Sequence, residues 1–509
     1  NGTAVGDQRA DIIVPVLTAG DGSILLRTVR GTGSTIQFRN AVTTDGVLQT
    51  SADMHVGSHR LQGSDGVAID GDYTLDNGTL DIDGASAAIS GTLYLSGTLD
   101  GSAPLTLGGL TWYSGVMTGT GAVTLTGAGE LPPNFNYRYL DRTLNIAGTL
   151  DLKNNLQLYI RNGGTLHLTS TGVLQSTTHD GNIYFNSGAS GTALFSAEAG
   201  AQVNVAAGRQ ISLYSDNSIG NQISARFTTS GAGTLALTGG RFTLTGNSVI
   251  SGSGNFAMAG ADLFGSGNLT LGNNFRWLNG GMYGDGVTRI TGQAQLPQAA
   301  GNRFIQRRLE VAGTLDANNN QWLYVQNGGV LHITSTGTLR SVTHDGNIFL
   351  QAGGSGSAAF SADQGARIDV GASRNLYLFT DSNAGNTFSA DVDLTGAGTF
   401  AFSGGLITLS GDSSIGGTGL FAMTGANVGG AGNLDIDSRF VWTSGSMGGS
   451  GITRIGGLAS LPQSNANKFL QRRLEVSGTL DADNNNLLYV QADGTLHLTS
   501  TGRLRSTTN

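Results

Sequence analysis

No cysteine occurs in the 509 residues of this chain. Disulfide staples, thiolate metal sites and cysteine nucleophiles are therefore excluded. Lysine is almost as scarce, with Lys153 and Lys468 alone, so arginine supplies nearly all of the positive charge. Charged residues make up only 12% of the chain, against about 25% in average proteins. The net charge is −8 and no basic face is clustered, which argues against a nucleic-acid partner. No apolar run approaches the roughly 20 residues that a membrane-spanning helix needs. There are six prolines and no Gly-X-Y period, so collagen is excluded as well.

What the chain has instead is glycine, 82 residues of it, and a repeat. Trp112, Trp277 and Trp442 are evenly spaced and open three copies of one passage, TWYSGVMTGTGAVTL, RWLNGGMYGDGVTRI and VWTSGSMGGSGITRI. Their spacing defines a 165-residue repeat. The same offset links Leu131-Pro132, Leu296-Pro297 and Leu461-Pro462, and also His167, His332 and His497. A register kept without insertion over so many anchors marks a repeat whose units stack on one another. The divisions that follow are 1–109, a diverged N-terminal stretch; 110–274 and 275–439, two full repeats; and 440–509, a partial third. The register is still running at Asn509, so the chain is expected to be a section of a longer one.

Within a repeat the apolar residues alternate in short bursts such as TLHLTS, NIYFNS, ISLYSD and TLALTG, each bounded by Gly, Asn, Asp or Ser. A period of two with turn residues at the ends is a strand signature, and no stretch carries the i, i+3, i+4 spacing of a helix. Apolar residues at 38% exclude a disordered linker. The expectation is an all-β chain, a parallel β-helix with about three strands per coil. About eighteen bursts per repeat would then make about six coils of about 27 residues.

The G-x-L-x-L and W-x-x-G-x-M-x-G-x-G passages resemble the passenger regions of large repetitive bacterial surface proteins: filamentous-haemagglutinin-like adhesins and autotransporter passengers. That resemblance implies a right-handed parallel β-helix, secretion from a bacterium to the outside or the cell surface, and an adhesive or scaffolding role. It transfers no binding residue.

Several residue groups are candidates for chemistry. His167, His332 and His497 each sit between two inward leucines or isoleucines, so they point outward, as strand decoration. His179-Asp180-Gly181 and His344-Asp345-Gly346 resemble the basic-plus-acidic groove of polysaccharide-cleaving enzymes, which need two carboxylates about 5–9.5 Å apart. Their composition also suits a tight turn, and the third copy ends in Thr508-Asn509 where the His would fall. Asp70-Gly71-Asp72, Asp81-Ile82-Asp83 and Asp481-Ala482-Asp483 are candidate calcium ligands, although the nonapeptide of calcium-bound β-rolls is absent. Arg307-Arg308 and Arg472-Arg473, followed by Glu310 and Glu475, are expected to form charged surface ladders. Tyr159, Trp322, Tyr324 and Tyr489 are expected on the outer surface, where aromatic faces suit sugars or protein partners.

Tandem copies repeat the same polar residues, whereas a catalytic site normally occurs once. The expected function is thus an extracellular structural fibre or adhesin, without enzymatic activity or cofactor. Self-association into fibres or bundles, and glycans or surface receptors, are the expected partners. A β-helix polysaccharide lyase or hydrolase and an array of carbohydrate-binding modules are the alternatives.

Overall fold

A computed structural model describes residues 67–506, apart from 70, 76–77, 134–135, 154–155, 189–190, 299–300, 320, 354–355, 465 and 484–486. Before residue 67 it describes only the backbone of strand segments from Leu17 onward. Asp70 and Thr508-Asn509 lie outside the described residues. The chain divides into two compact units, Asn1–Phe256 and Ala257–Asn509.

All regular structure among the described residues is β, and each unit is a parallel β-solenoid. In the first unit Val123–Leu125 pairs with Thr143–Ile146, Ala128–Leu131 with Thr149–Leu152, and Arg138–Leu140 with Leu158–Arg161. Each strand thus bonds to the third strand after it, and three strands make one coil. Alternation drives the arrangement: in Leu158–Arg161 the residues Leu158 and Ile160 are fully buried while Tyr159 and Arg161 are half-exposed. Inward residues then stack on inward residues of the next coil. In the second unit Leu309, Leu331, Phe360 and Phe388 follow one another in register, all essentially inaccessible. The rings of Phe360 and Phe388 lie 5.5 Å apart and nearly parallel.

The coil is shorter than the sequence suggests. Trp277 lies on a strand segment whose successive partners are Gln293–Gln295, Thr314–Asp316, Thr338–Ser341, 367–370, 392–395, Ser413–Gly417 and Leu434–Ile436. Seven coils from Trp277 therefore end at Ile436. Trp442 lies on the next strand, Arg439–Met447, and its own ladder runs back through 420–423, 399–402, 375–378, 346–348, 323–325 and 303–305 to 280–282. One 165-residue repeat is thus seven coils and one strand, where six coils were expected. The figure of six coils of about 27 residues is corrected to more and shorter ones. The bursts undercount strands because some are short and weakly apolar, such as Gln293–Gln295. Others are hidden in long runs: within Asn274–Ile290, residues 274–276, 280–283 and 287–290 pair separately with 293–295, 303–306 and 308–311 of the next coil.

The repeated W-x-x-G-x-M-x-G-x-G passage is explained by two successive corners of the coil, one at each end of the short strand segment 280–283. Gly280 and Gly445 hold φ of 95° and 99°, and a Cβ there would fall on the carbonyl of Ala261 or Ala426. The last glycine, Gly286 or Gly451, leaves room for an arginine from the following coil. Arg307 Nε donates to the Gly286 carbonyl and Nη2 to that of Gly267, at 2.6 Å each. Arg472 repeats this with Gly451 and Gly432 at 2.8 and 2.7 Å, and Arg142 donates to the Gly121 and Thr118 carbonyls. A second buried arginine serves the preceding corner, at the start of that segment. Arg138 donates to the carbonyls of Trp112 and Pro132, and Arg303 to those of Trp277 and Pro297. In the third copy Lys468 stands there and reaches Ser464 Oγ.

The paired arginines are therefore not both surface residues. Arg307 and Arg472 are about 2% exposed, while Arg308 and Arg473 face outward and pair with Glu310 and Glu475 at 2.7 Å. Strand alternation puts neighbours on opposite sides, and only the outward member of each pair joins a ladder. Burial pulls the guanidinium pKa of Arg307 and of Arg472 down to about 10, so both remain charged at neutral pH.

Removing the fork leaves carbonyls from two neighbouring coils without donors in a dry corner. Arg307→Ala should lower the unfolding free energy by about 2–4 kcal/mol. Arg307→Lys should recover only part of it, because an ammonium lacks the planar fork. Urea denaturation followed by circular dichroism reads both.

Candidate functional site

The outward faces carry the candidate site, as ladders that run from coil to coil. In the first unit Tyr139, Tyr159, Tyr184 and Tyr214 occupy successive coils in register. Ring centroids are 5.4 Å apart for Tyr139–Tyr159 and 5.1 Å for Tyr159–Tyr184. Tyr137 packs edge-on to Tyr159 at 5.5 Å, and the Arg161 guanidinium lies 3.9 Å from the centre of the Tyr139 ring.

In the second unit Phe304, Tyr324, Phe349 and Phe379 form the corresponding ladder. Trp322 flanks it, edge-on to Phe349 and Phe379 at 5.4 and 4.6 Å. Leu323 and Val325 are buried, and Trp322 and Tyr324 are half-exposed beside them. Tyr489 stacks on Phe469 at 5.4 Å and is 38% exposed. The structure brings Trp322 and Tyr324 together but separates Tyr324 from Tyr489. The two are homologous positions, yet Tyr489 belongs to the ladder through Lys468–Leu470 and 445–447, one face away. Ring planes are nearly parallel for Phe304–Tyr324 and Phe469–Tyr489, at 15° and 14°, but tilted by 36° for Tyr139–Tyr159, 50° for Tyr159–Tyr184 and 56° for Tyr324–Phe349.

The histidines lie on the outer side of their strands but are not isolated. His332, expected as exposed decoration, is only 9% exposed because its neighbours on adjacent coils cover it. His332 Nδ1 lies 2.9 Å from Ser361 Oγ, and its Nε2 lies 3.4 Å from an Asp363 carboxylate oxygen. His167 repeats this with Ser196 at 2.8 Å and Glu198 at 3.4 Å. Serine, imidazole and carboxylate thus line up in both repeats. Sequence distance hides the grouping, because each serine lies 29 residues beyond its histidine and the carboxylate lies further still. An activated serine also needs donors aimed at a developing oxyanion. Ser361 sits mid-strand, in register with His332 and Ser389, so its neighbouring amides are committed to the ladders. What the trio does in this geometry is tie one coil to the next. The ladder continues on the other side through Glu310 to Arg289, 3.5 Å away. In the third copy Arg454 bridges Glu475 and Asp435, at 3.2 Å each.

His179 and His344 lie at bends, where Ser176 Oγ and Ser341 Oγ donate to their carbonyls. Asp180 and Asp345 accept the backbone N–H of Gln210 and Asn375. The acidic turns are likewise bonded: Asp72 accepts from Thr92 N, Asp83 from Ser102, and Asp481 from Arg505. Among the described residues no group of three or more His, Asp or Glu is arranged to hold a metal ion. Sequence reasoning missed the corner arginines. The signal was present, since Arg142, Arg307 and Arg472 follow the last glycine of the passage by 21 residues in every copy.

Burial, with the nearby Arg308 charge, holds the His332 imidazole below its ordinary 6.5 despite Asp363 and Glu310. The unfolded chain then takes up the proton first, so this contribution to stability is present above about pH 6.5 and fades as pH falls through that value. Thermal melts of the wild type should lose more stability between about pH 7 and 5 than those of His332→Gln. No protein family, curated protein or solved structure matches the chain.

Proposed function

We propose that this chain is an extracellular scaffold of a bacterial surface, a structural or adhesive protein whose outward ladders contact partners over many coils at once. One observation carries the reading: the outward surface itself is copied. Arg289, Arg308 and Glu310 of the second repeat return as Arg454, Arg473 and Glu475 of the third, with the same ion pairs. Phe304 and Tyr324 return as the stacked pair Phe469 and Tyr489. A copied surface suits many weak contacts that add by multivalency rather than one deep pocket.

The partners that fit are further copies of the chain, lying side by side, and glycans or receptors on another surface. Because homologous residues fall on successive faces, such contacts are offered in more than one direction. Side-by-side association then gives a network rather than a flat sheet.

Sedimentation and electron microscopy of the full chain should show association that grows with concentration and weakens in high salt, which screens exposed ion pairs. Particles that stay single at high concentration, and bind no cell surface or glycan, would overturn the scaffold reading. Cleavage of a pectin- or alginate-like polysaccharide, abolished by His179→Ala, would replace it with the enzymatic alternative.

A further inference from the structure

The tyrosine ladder of the first unit has a property that its counterpart in the second unit lacks. Positions 139, 159, 184 and 214 are all tyrosine; one repeat later they read Phe304, Tyr324, Phe349 and Phe379, and Tyr137 becomes Asn302. The two ladders pack alike, with Tyr139–Tyr159 and Phe304–Tyr324 centroids both 5.4 Å apart. Packing therefore does not require the hydroxyls, since phenylalanine fills the same places at the same spacing. The phenols of the first unit are nevertheless gathered: Tyr137, Tyr139 and Tyr184 all lie within 5.5 Å of Tyr159, ring centre to ring centre. They are reachable as well, for Tyr137 is 44% exposed and the others are half-exposed.

We propose that this ladder is a site of oxidative cross-linking, at which a peroxidase-type one-electron oxidant joins tyrosines of successive coils as dityrosine. Each phenol gives up one electron and one proton to become a phenoxyl radical. Two radicals on adjacent rungs form a carbon–carbon bond between their ortho positions, and the ortho hydrogens return to the oxygens as the rings regain aromaticity. Two tyrosines thus lose two protons and two electrons in all, and one hydrogen peroxide accepts them to give two waters. The bond forms between coils that the parallel ladder already holds in register, so little reorganisation opposes it. Burial among the rings, and then the neighbouring phenols, raise the Tyr159 pKa above its ordinary value, which agrees with phenols placed close to one another. Fixing one coil covalently to the next would resist peeling of the stack from an end.

The test treats the full chain with peroxidase and hydrogen peroxide, then reads dityrosine fluorescence and maps links by mass spectrometry. Trypsin cuts at Arg142, Lys153 and Arg161, so Tyr139, Tyr159 and Tyr184 fall on separate peptides. The expected product is a monomer linked through Tyr139–Tyr159 and Tyr159–Tyr184. Tyr159→Phe, a replacement the second unit's ladder accepts at neighbouring rungs, should lose both links and most of the monomer's fluorescence. Tyr324→Phe should change neither. Links that fall equally on Tyr489, which is 38% exposed and stacks on Phe469, would overturn the proposal. So would links that form only between chains, or none in the folded protein.

Discussion

Everything in these units depends on one constraint: each strand bonds in parallel to the strand one coil before and one coil after. Parallel register places a residue directly beside its counterpart, at the strand spacing of about 4.8 Å. Inward positions must then stack apolar on apolar, as Leu309, Leu331, Phe360 and Phe388 do. Outward positions face the same rule with different chemistry. Like charges on adjacent rungs would repel, and Asp435, Arg454 and Glu475 alternate in sign along one ladder. Aromatic residues satisfy the rule by stacking on themselves. The low charge content follows from the same geometry, because a neutral Thr, Ser or Asn tolerates any neighbour.

The corners are where the constraint is weakest, since the backbone turns there and its carbonyls point away from the next strand. In this chain an arginine fork fills that gap. Arg307 accepts burial because carbonyl dipoles surround its guanidinium and the Asp285 charge lies nearby, and Arg472 is held by carbonyls in the same way. Glycine at the acceptor position is what lets the fork approach. The backbone carbonyls of the recurring tryptophan and proline receive the other buried arginine, while the tryptophan side chains themselves fill the core.

Much of this was legible in the sequence. Alternating bursts bounded by Gly and Asn revealed the strands, and the inward or outward side of Leu323, Tyr324 and Val325 followed from period two. The turn reading of His179 and His344 also agrees with the bends found there. Coil length was not legible, because a three-residue strand with one small inward residue, such as Ala294, leaves almost no apolar signal. Nor was the burial of Arg307: a cation beside Arg308 and near Glu310 reads as surface, and only the neighbouring coil supplies the carbonyls that offset its desolvation. The Ser361–His332–Asp363 contact was hidden for the same reason, as it joins adjacent coils whose register the sequence did not define.

The mismatch between repeat and coil has a consequence for how such a chain changes over time. More than one face of the coil accepts the motif, as Trp277 and Trp442 show by carrying it on different faces. Gain or loss of one 165-residue block by unequal recombination would therefore leave the core intact while moving every downstream side chain to an adjacent face. Only changes by three blocks restore the original heading. In a gene of this kind, copy number sets direction as well as length.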